Sequence, residues 1–488
     1  MMTNAPIQNA PGAAPPRRRR RPLVRALTVL LVLGLLGVLG LAGVVGLVWS
    51  RADTSNLGKL DFANQLKIPP LLQPHVDAAG AKVFDLRLQA GSSQLLPGKA
   101  AETWGINGAY LGPTLRASLG DKVRINVTNT LPEATTLHWH GMHLPAKADG
   151  GPHQLIAPGA TWSPTWTIDQ PAATLWYHPH PHGQTEDHVS RGLSGLFLLD
   201  DPQSRALALP KRYGVDDIPV IIQDKRFRAD GGLASAKLGG DILINGTYDP
   251  HLRVASQLVR FRLLNASTAR TYDVGFADDR AFDLIATAFR PGERALLRSF
   301  QPDLGENRLT ARFDGGDDTF DLLQVRAAGE LRGAAPVPAR LARHAPLDPG
   351  SATRTRRIEI TSSNSIDGKS MDMDRIDQVV TVGTTEVWEV RNGSGSFHNF
   401  HVHDVQFEIL SYGGAPPPPY LAGPKDTVAI PPGESVRFVA RFADYADPST
   451  PYMFHCHLLR HEDNGLMGQF VVVEPGQAAL QSPHHQHG

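Results

Sequence analysis

The sequence predicts an all-β protein built of sandwiches, preceded by one N-terminal transmembrane or signal helix. Three observations predict it. Past Asp61 the chain consists of short runs broken by Gly, Pro, Asn and Asp, and several runs alternate apolar with polar residues: Val83 to Leu88, Val123 to Val127, Val259 to Leu263 and Val436 to Phe438. No long amphipathic helical pattern interrupts them, and 47 Gly with 39 Pro supply many turns. The one long uncharged apolar stretch runs from Ala26 to Ser50.

The elements follow in order. Arg17 to Arg21 is a run of arginines, with Arg25 close behind. A helix of about 24 residues rises about 36 Å, enough to cross a hydrocarbon core of ~30 Å. Basic flanks stay cytoplasmic, so residues 1–25 are expected as a cytoplasmic Arg-rich arm and 26–50 as a transmembrane anchor or export signal. Arg20-Arg21 before Pro22-Leu23-Val24 fits a twin-arginine signal, and Ser50-Arg51-Ala52 is a weak cleavage site. The folded part is therefore expected to be extracytoplasmic, in a periplasm or at the cell surface. It divides at Asp200-Asp201-Pro202 and at the Ala/Pro/Arg-rich linker Gly333 to Ser351, giving units 60–205, 206–351 and 352–476. Pro416 to Pro419 reads as a stiff surface loop, and 477–488 as a disordered tail. Its His484, His485 and His487 are weak metal binders at best.

Charge excludes one class of partner. With 48 basic and 48 acidic side chains the formal net charge is zero, which gives nucleic acid no electrostatic hold. Cys456 is the single cysteine, so no disulfide forms within the chain. Nothing fixes the oligomeric state, and a monomer is the default.

Histidine distribution points to metal. Of 20 histidines, most lie in Leu137 to Val189 and Phe397 to Glu462. In a strand, successive side chains leave opposite faces. His455 and His457 then project one way and Cys456 the other, so one short segment serves two metal sites. In the segment His398 to His403, if extended, His401 and His403 share a face and His398 lies opposite. His138 with His140 and His178 with His180 each add a pair on one face. Eight histidines thus converge as four His-x-His pairs, leaving Cys456, His398 and the nearby His461 for a second centre. A thiolate with two imidazoles is the blue-copper set; eight imidazoles without carboxylate suit a multinuclear copper centre, although imidazole also accepts zinc, iron or nickel.

These segments resemble the four copper-binding signatures of multicopper oxidases, with bacterial laccases and copper-efflux oxidases nearest. The likeness covers nearly the whole chain after about residue 80. It is dense in Thr103 to Gly108, Thr136 to Gly141, Asp169 to Ala173, Trp176 to His180, Lys425 to Val428 and His455 to Gly465. The resemblance implies three cupredoxin-like Greek-key domains and four copper ions that couple one-electron oxidation of a reductant to reduction of dioxygen to water. By position, it implies His138 and His401 as type 2 ligands. His140, His178 and His457 would hold one type 3 copper, and His180, His403 and His455 the other. His398, Cys456 and His461 would hold type 1. Glu462 and Asp149 match acidic residues that deliver protons near the cluster; each could instead orient a ligand imidazole. His182 is expected on the rim and not as a ligand.

Departures from the family pattern sharpen the expectations. Where efflux oxidases place an axial methionine directly after the Glu-Asp-x-Gly segment, Leu466 stands here and Met467 follows, so type 1 should be three-coordinate and its potential raised. Seven methionines, with only Met371 and Met373 paired in the body, do not make a methionine-rich cuprous trap. A laccase-like oxidase of phenols or aromatic amines is the leading expectation, and a cuprous or ferrous metallo-oxidase the alternative. In the middle unit, Asp283 to Ala286 leads almost at once to Pro291 to Arg294, so this domain is expected to be shortened. The fold also occurs as a copper-free cell-envelope scaffold, whose relatives have lost the histidines that this chain keeps.

Overall fold

The computed structural model describes residues 21–50, 54–280, 286–304, 315–341 and 344–480. The arginines before Arg21, the 50–52 cleavage site, Asp283 to Ile285 and the tail histidines lie wholly or partly outside them. Arg21–Ser50 form one α-helix. Its described apolar side chains, such as Leu30, Leu31 and Leu36, are exposed. Among the described residues no helix is long and apolar enough to cross a membrane.

Residues 53–488 form a separate compact unit. Its strands make six sheets, two for each of three sandwiches. Alternation explains why: Lys82–Leu96 and Lys122–Asn129 bury every second side chain over much of their length, leaving one face wet. Each sandwich has its own core. Phe84, Trp139 and Phe197 lie in the first, Ile222, Leu252 and Phe320 in the middle one, and Trp388, Phe438 and Phe470 in the third. Among the described residues the middle sandwich has one sheet of five strands and one of six. One of them recruits Asn64–Gln65, which pairs in parallel with Pro250 and His251. The chain therefore visits the middle unit before it builds the first, and this pairing joins the expected units 60–205 and 206–351. Pro416 to Pro419 lies in a partly exposed loop that ends in a short 3-10 turn, Pro419–Leu421.

One device recurs in all three units. A strand ends at Asn129, Asn265 or Asn392. Each asparagine accepts from the backbone N–H two residues on (Leu131 at 2.9 Å, Ser267 at 3.0 Å, Ser394 at 3.0 Å). Each also donates to a carbonyl further along, of Glu133, Arg270 or Ser396, at 2.8 Å. The side chain stands in for a backbone turn. In the first and third units the chain leaves this turn into the strands His138–His140 and His398–Val402, which carry the histidines inward.

Candidate metal centre

The strand Asp447–Cys456 decides the layout. Its cysteine side chain packs into the third core with Leu458 and Leu466. His455 and His457 leave the other way, their ring centroids 5.3 Å apart. There they meet His401 and His403 from the neighbouring strand and the two pairs of the first unit. Candidate ligand atoms lie within 4.8 Å of one another in each of these groups: His138, His140 and His401; His140, His178 and His457; His180, His403 and His455. A fourth group, His398, Cys456 and His461, lies across the strand. His398 Nδ1 is 3.3 Å from Cys456 Sγ and 3.3 Å from His461 Nδ1.

The first and third units contribute the same pattern of support. His138 Nδ1–H donates to the Asp149 carbonyl at 2.9 Å, and His401 Nδ1–H to the Asp426 carbonyl at 2.8 Å. His178 Nδ1–H donates to the Pro179 carbonyl at 2.8 Å, and His455 Nδ1 faces the Cys456 carbonyl at 3.2 Å. The carboxylates then cross between units. His403 Nδ1–H donates to Asp149 Oδ2 at 2.8 Å, while His140 Nε2–H donates to Asp426 Oδ1 at 3.1 Å. Glu462 has one oxygen 3.2 Å from His180 Nδ1 and the other 3.1 Å from His455 Nδ1. Neither Glu462 oxygen nor His180 Nδ1 completes a hydrogen bond at these distances; where an outer nitrogen is hydrogen-bonded, the inner one faces the cluster.

The donor set fits a metal. His138 Nε2, His140 Nδ1, His178 Nε2, His401 Nε2 and His457 Nε2 are buried without a hydrogen-bond partner. Leaving that many polar atoms unpaired costs about 1–3 kcal/mol each unless something binds them. Burial first, and neighbouring imidazoles second, hold His178, His180, His401, His403 and His457 well below the usual histidine range. They are neutral, with lone pairs available to a cation. His398 is pushed down to about 3 by burial, then by His461 and Lys237.

Access comes from a cavity of about 410 Å³ bordered by residues of all three units, among them His140, Trp176, Arg270, Asn399, Asp426 and His457. The opposite flank is clamped. Asp463 accepts from the backbone N–H of Thr185 at 2.9 Å and of Glu186 at 2.8 Å, and Arg460 pairs with Glu186. His182 is exposed and belongs to none of the groups.

Models of the family described as multicopper oxidase match residues 87–204 and 344–476. The multicopper oxidase mco of Staphylococcus aureus is 34% identical over 435 residues, covering 86% of this chain and 95% of that protein. The chain belongs to the multicopper oxidase family. Among its relatives is also the cell division protein FtsP of Escherichia coli, 33% identical over 442 residues, covering 83% of this chain and 92% of that one. Of solved structures, a laccase-like multicopper oxidase from Ochrobactrum sp. superposes with a TM-score of 0.75 at 33% identity, covering 84% of this chain and all of that one. A laccase from Pediococcus acidilactici gives 0.75 at 30% identity, covering 84% and 94%.

For a multicopper oxidase, the residue that sequence reasoning left without a role is Asp426. It stands in the signature segment Lys425 to Val428, yet only the folded structure shows its carboxylate reaching a first-unit histidine. The signal available in the sequence was that motif alone. Leu466 lies beside the His398, Cys456 and His461 group: its carbonyl accepts from Cys456 N–H at 3.1 Å and its N–H donates to His461 O at 2.9 Å. Met467 pairs across the sheet with His455. Cross-strand partners share a face, so Met467 is turned away from Cys456.

Proposed function

We propose that the chain is an enzyme: it takes single electrons from a small reductant at the His398, Cys456 and His461 group, and uses four of them to convert dioxygen to two waters. The observation that carries this is the strand ending at Cys456, whose thiol faces one group while His455 and His457, its covalent neighbours, face the other. Copper supplies the one-electron redox chemistry and the oxygen binding. His398, Cys456 and His461 would hold one ion and the eight paired imidazoles three more, His138 with His401 as the type 2 pair. The chain's own part is to hold these rings and move protons. Asp149 and Asp426 orient rings across the unit boundary. Glu462 and Asp149 pass protons toward the buried cluster, and the 410 Å³ cavity admits dioxygen and releases water.

Phenols or aromatic amines are the leading reductants. The Ochrobactrum relative is described as an oxidase of lignin model compounds and lignosulfonate, and no methionine-rich insertion stands over Cys456. One contact favours a second reading, cuprous or ferrous ion: Met371 N–H donates to Gly465 O at 2.9 Å, placing the Met371 to Met373 segment beside Leu466. Oxygen consumption with a phenol, ferrous ion and cuprous ion in parallel, together with copper per chain, tests both. About four coppers with phenol-driven uptake supports the first reading, and uptake with metal ions alone the second. A chain that binds no copper sinks the enzyme and leaves a scaffold, the class to which the FtsP likeness would then point. The folded part works outside the cytoplasm, anchored by the helix at 26–50; membrane association that survives a high-salt wash checks the anchor.

Leu466 offers no lone pair, so the potential of the Cys456 centre should lie above that of Leu466→Met. Redox titration of the blue absorption in both proteins measures it, and an equal or higher value in the methionine variant refutes the three-coordinate assignment.

A further inference from the structure

The asparagine turn recurs in every unit, but its second residue is used differently each time. In the first unit it is Leu131. In the middle unit Ser267 Oγ accepts from Asp224 N–H at 2.9 Å and meets the Tyr272 hydroxyl at 2.8 Å. In the third unit Ser394 Oγ lies 2.8 Å from His398 Nε2. His398 presents its other nitrogen, Nδ1, to Cys456 Sγ. A neutral imidazole that offers the Nδ1 lone pair to a metal keeps its proton on Nε2. Nε2–H therefore donates to Ser394 Oγ, and the Ser394 hydroxyl donates onward to Asn392 Oδ1 at 2.8 Å.

We propose that Ser394 is a positioning residue that sets the reduction potential of the Cys456 centre, acting through His398. The inference rests on the proposal that His398, Cys456 and His461 hold copper. A hydrogen-bond acceptor on the far nitrogen fixes the ring's tautomer and orientation and makes it a stronger donor. A stronger donor favours the more highly charged, oxidised metal and lowers the potential. The turn is held chiefly by Asn392, which accepts from Ser394 N–H at 3.0 Å and donates to the carbonyls of Ser396 at 2.8 Å and Ile430 at 2.9 Å. The Ser394 hydroxyl adds only long contacts there, accepting from Ser396 N–H and facing Ser396 O, both at 3.3 Å. The first unit makes the same turn with a leucine at this place. Removing the hydroxyl thus takes away the ligand's partner and one long bond from Ser396 N–H, while the asparagine's own bonds keep the turn.

The test is a redox titration of the copper-loaded full chain, followed by its blue absorption, for wild type, Ser394→Ala and Ser394→Thr. Ser394→Ala should keep the absorption and shift the reduced-to-oxidised ratio at a fixed solution potential about tenfold toward reduced, or about 59 mV upward for a one-electron couple. Ser394→Thr retains a hydroxyl and should titrate with wild type. An unmoved potential in the alanine variant overturns the proposal, as does an equal shift in both variants. A wild-type chain that never turns blue on copper loading is a different failure, that of the copper assignment itself.

Discussion

Serine in place of Cys456 is expected to abolish the blue absorption and reductant-driven oxygen uptake together, with uptake falling to the level of the copper-free chain. The reason is chemical, since shape is nearly conserved. The thiolate is the one soft donor in the His398, Cys456 and His461 group, and a hydroxyl is a hard, weak ligand for copper. Cys456 is also the member of that group bonded directly in sequence to both His455 and His457. The eight-imidazole cluster lies on the other face of the strand, so copper should drop by about one ion per chain while the rest stays bound. Cys456 is 1% exposed in an apolar core, so an added hydroxyl costs about 1–3 kcal/mol. A thermal melt separates that modest loss from unfolding. Persisting blue colour in the serine variant would mean that another residue carries the centre.

The second large effect belongs to Glu462. Glu462→Gln is expected to keep copper and colour and to lose about 10–100-fold in turnover, the range typical of partners that support metal ligands. Glu462 is 1% exposed, and its two oxygens face the Nδ1 atoms of His180 and His455. An amide of the same shape fills the same place beside both rings, but it cannot take up and release a proton. Copper content measured beside single-turnover reoxidation tells the two roles apart. If the variant is short of copper, Glu462 orients His180 and His455 and does not pass protons.

Much of this centre could be read from the sequence because strand parity is a local rule. The spacing of His455, Cys456 and His457 fixes which side chains part company, whatever the rest of the chain does. The grouping in the folded protein matches that parity, with Cys456 in the core and the rings opposite. What escaped the sequence is non-local. The pairing of Asn64–Gln65 with Pro250 and His251 joins distant segments and leaves no periodic trace. The reach of Asp426 to His140 exists only after two units dock. The turn at Asn129, Asn265 and Asn392 was hidden for another reason: its work is done by one asparagine and backbone atoms, so the surrounding residues differ freely. Leu466 lay between these cases. Its position was legible, while the turning away of Met467 needed the register with His455.

The exchange of carboxylates, Asp149 onto a third-unit ring and Asp426 onto a first-unit ring, makes metal loading a late event. Neither half of the chain owns a finished eight-imidazole pocket, because its inner nitrogens come together only once the first and third units are seated. Ion uptake and closure of the seam are then a single equilibrium, each strengthening the other. The ribosome must reach His457 before the eight-imidazole pocket has all its rings, and a chelator that strips its ions is expected to loosen the joint as well.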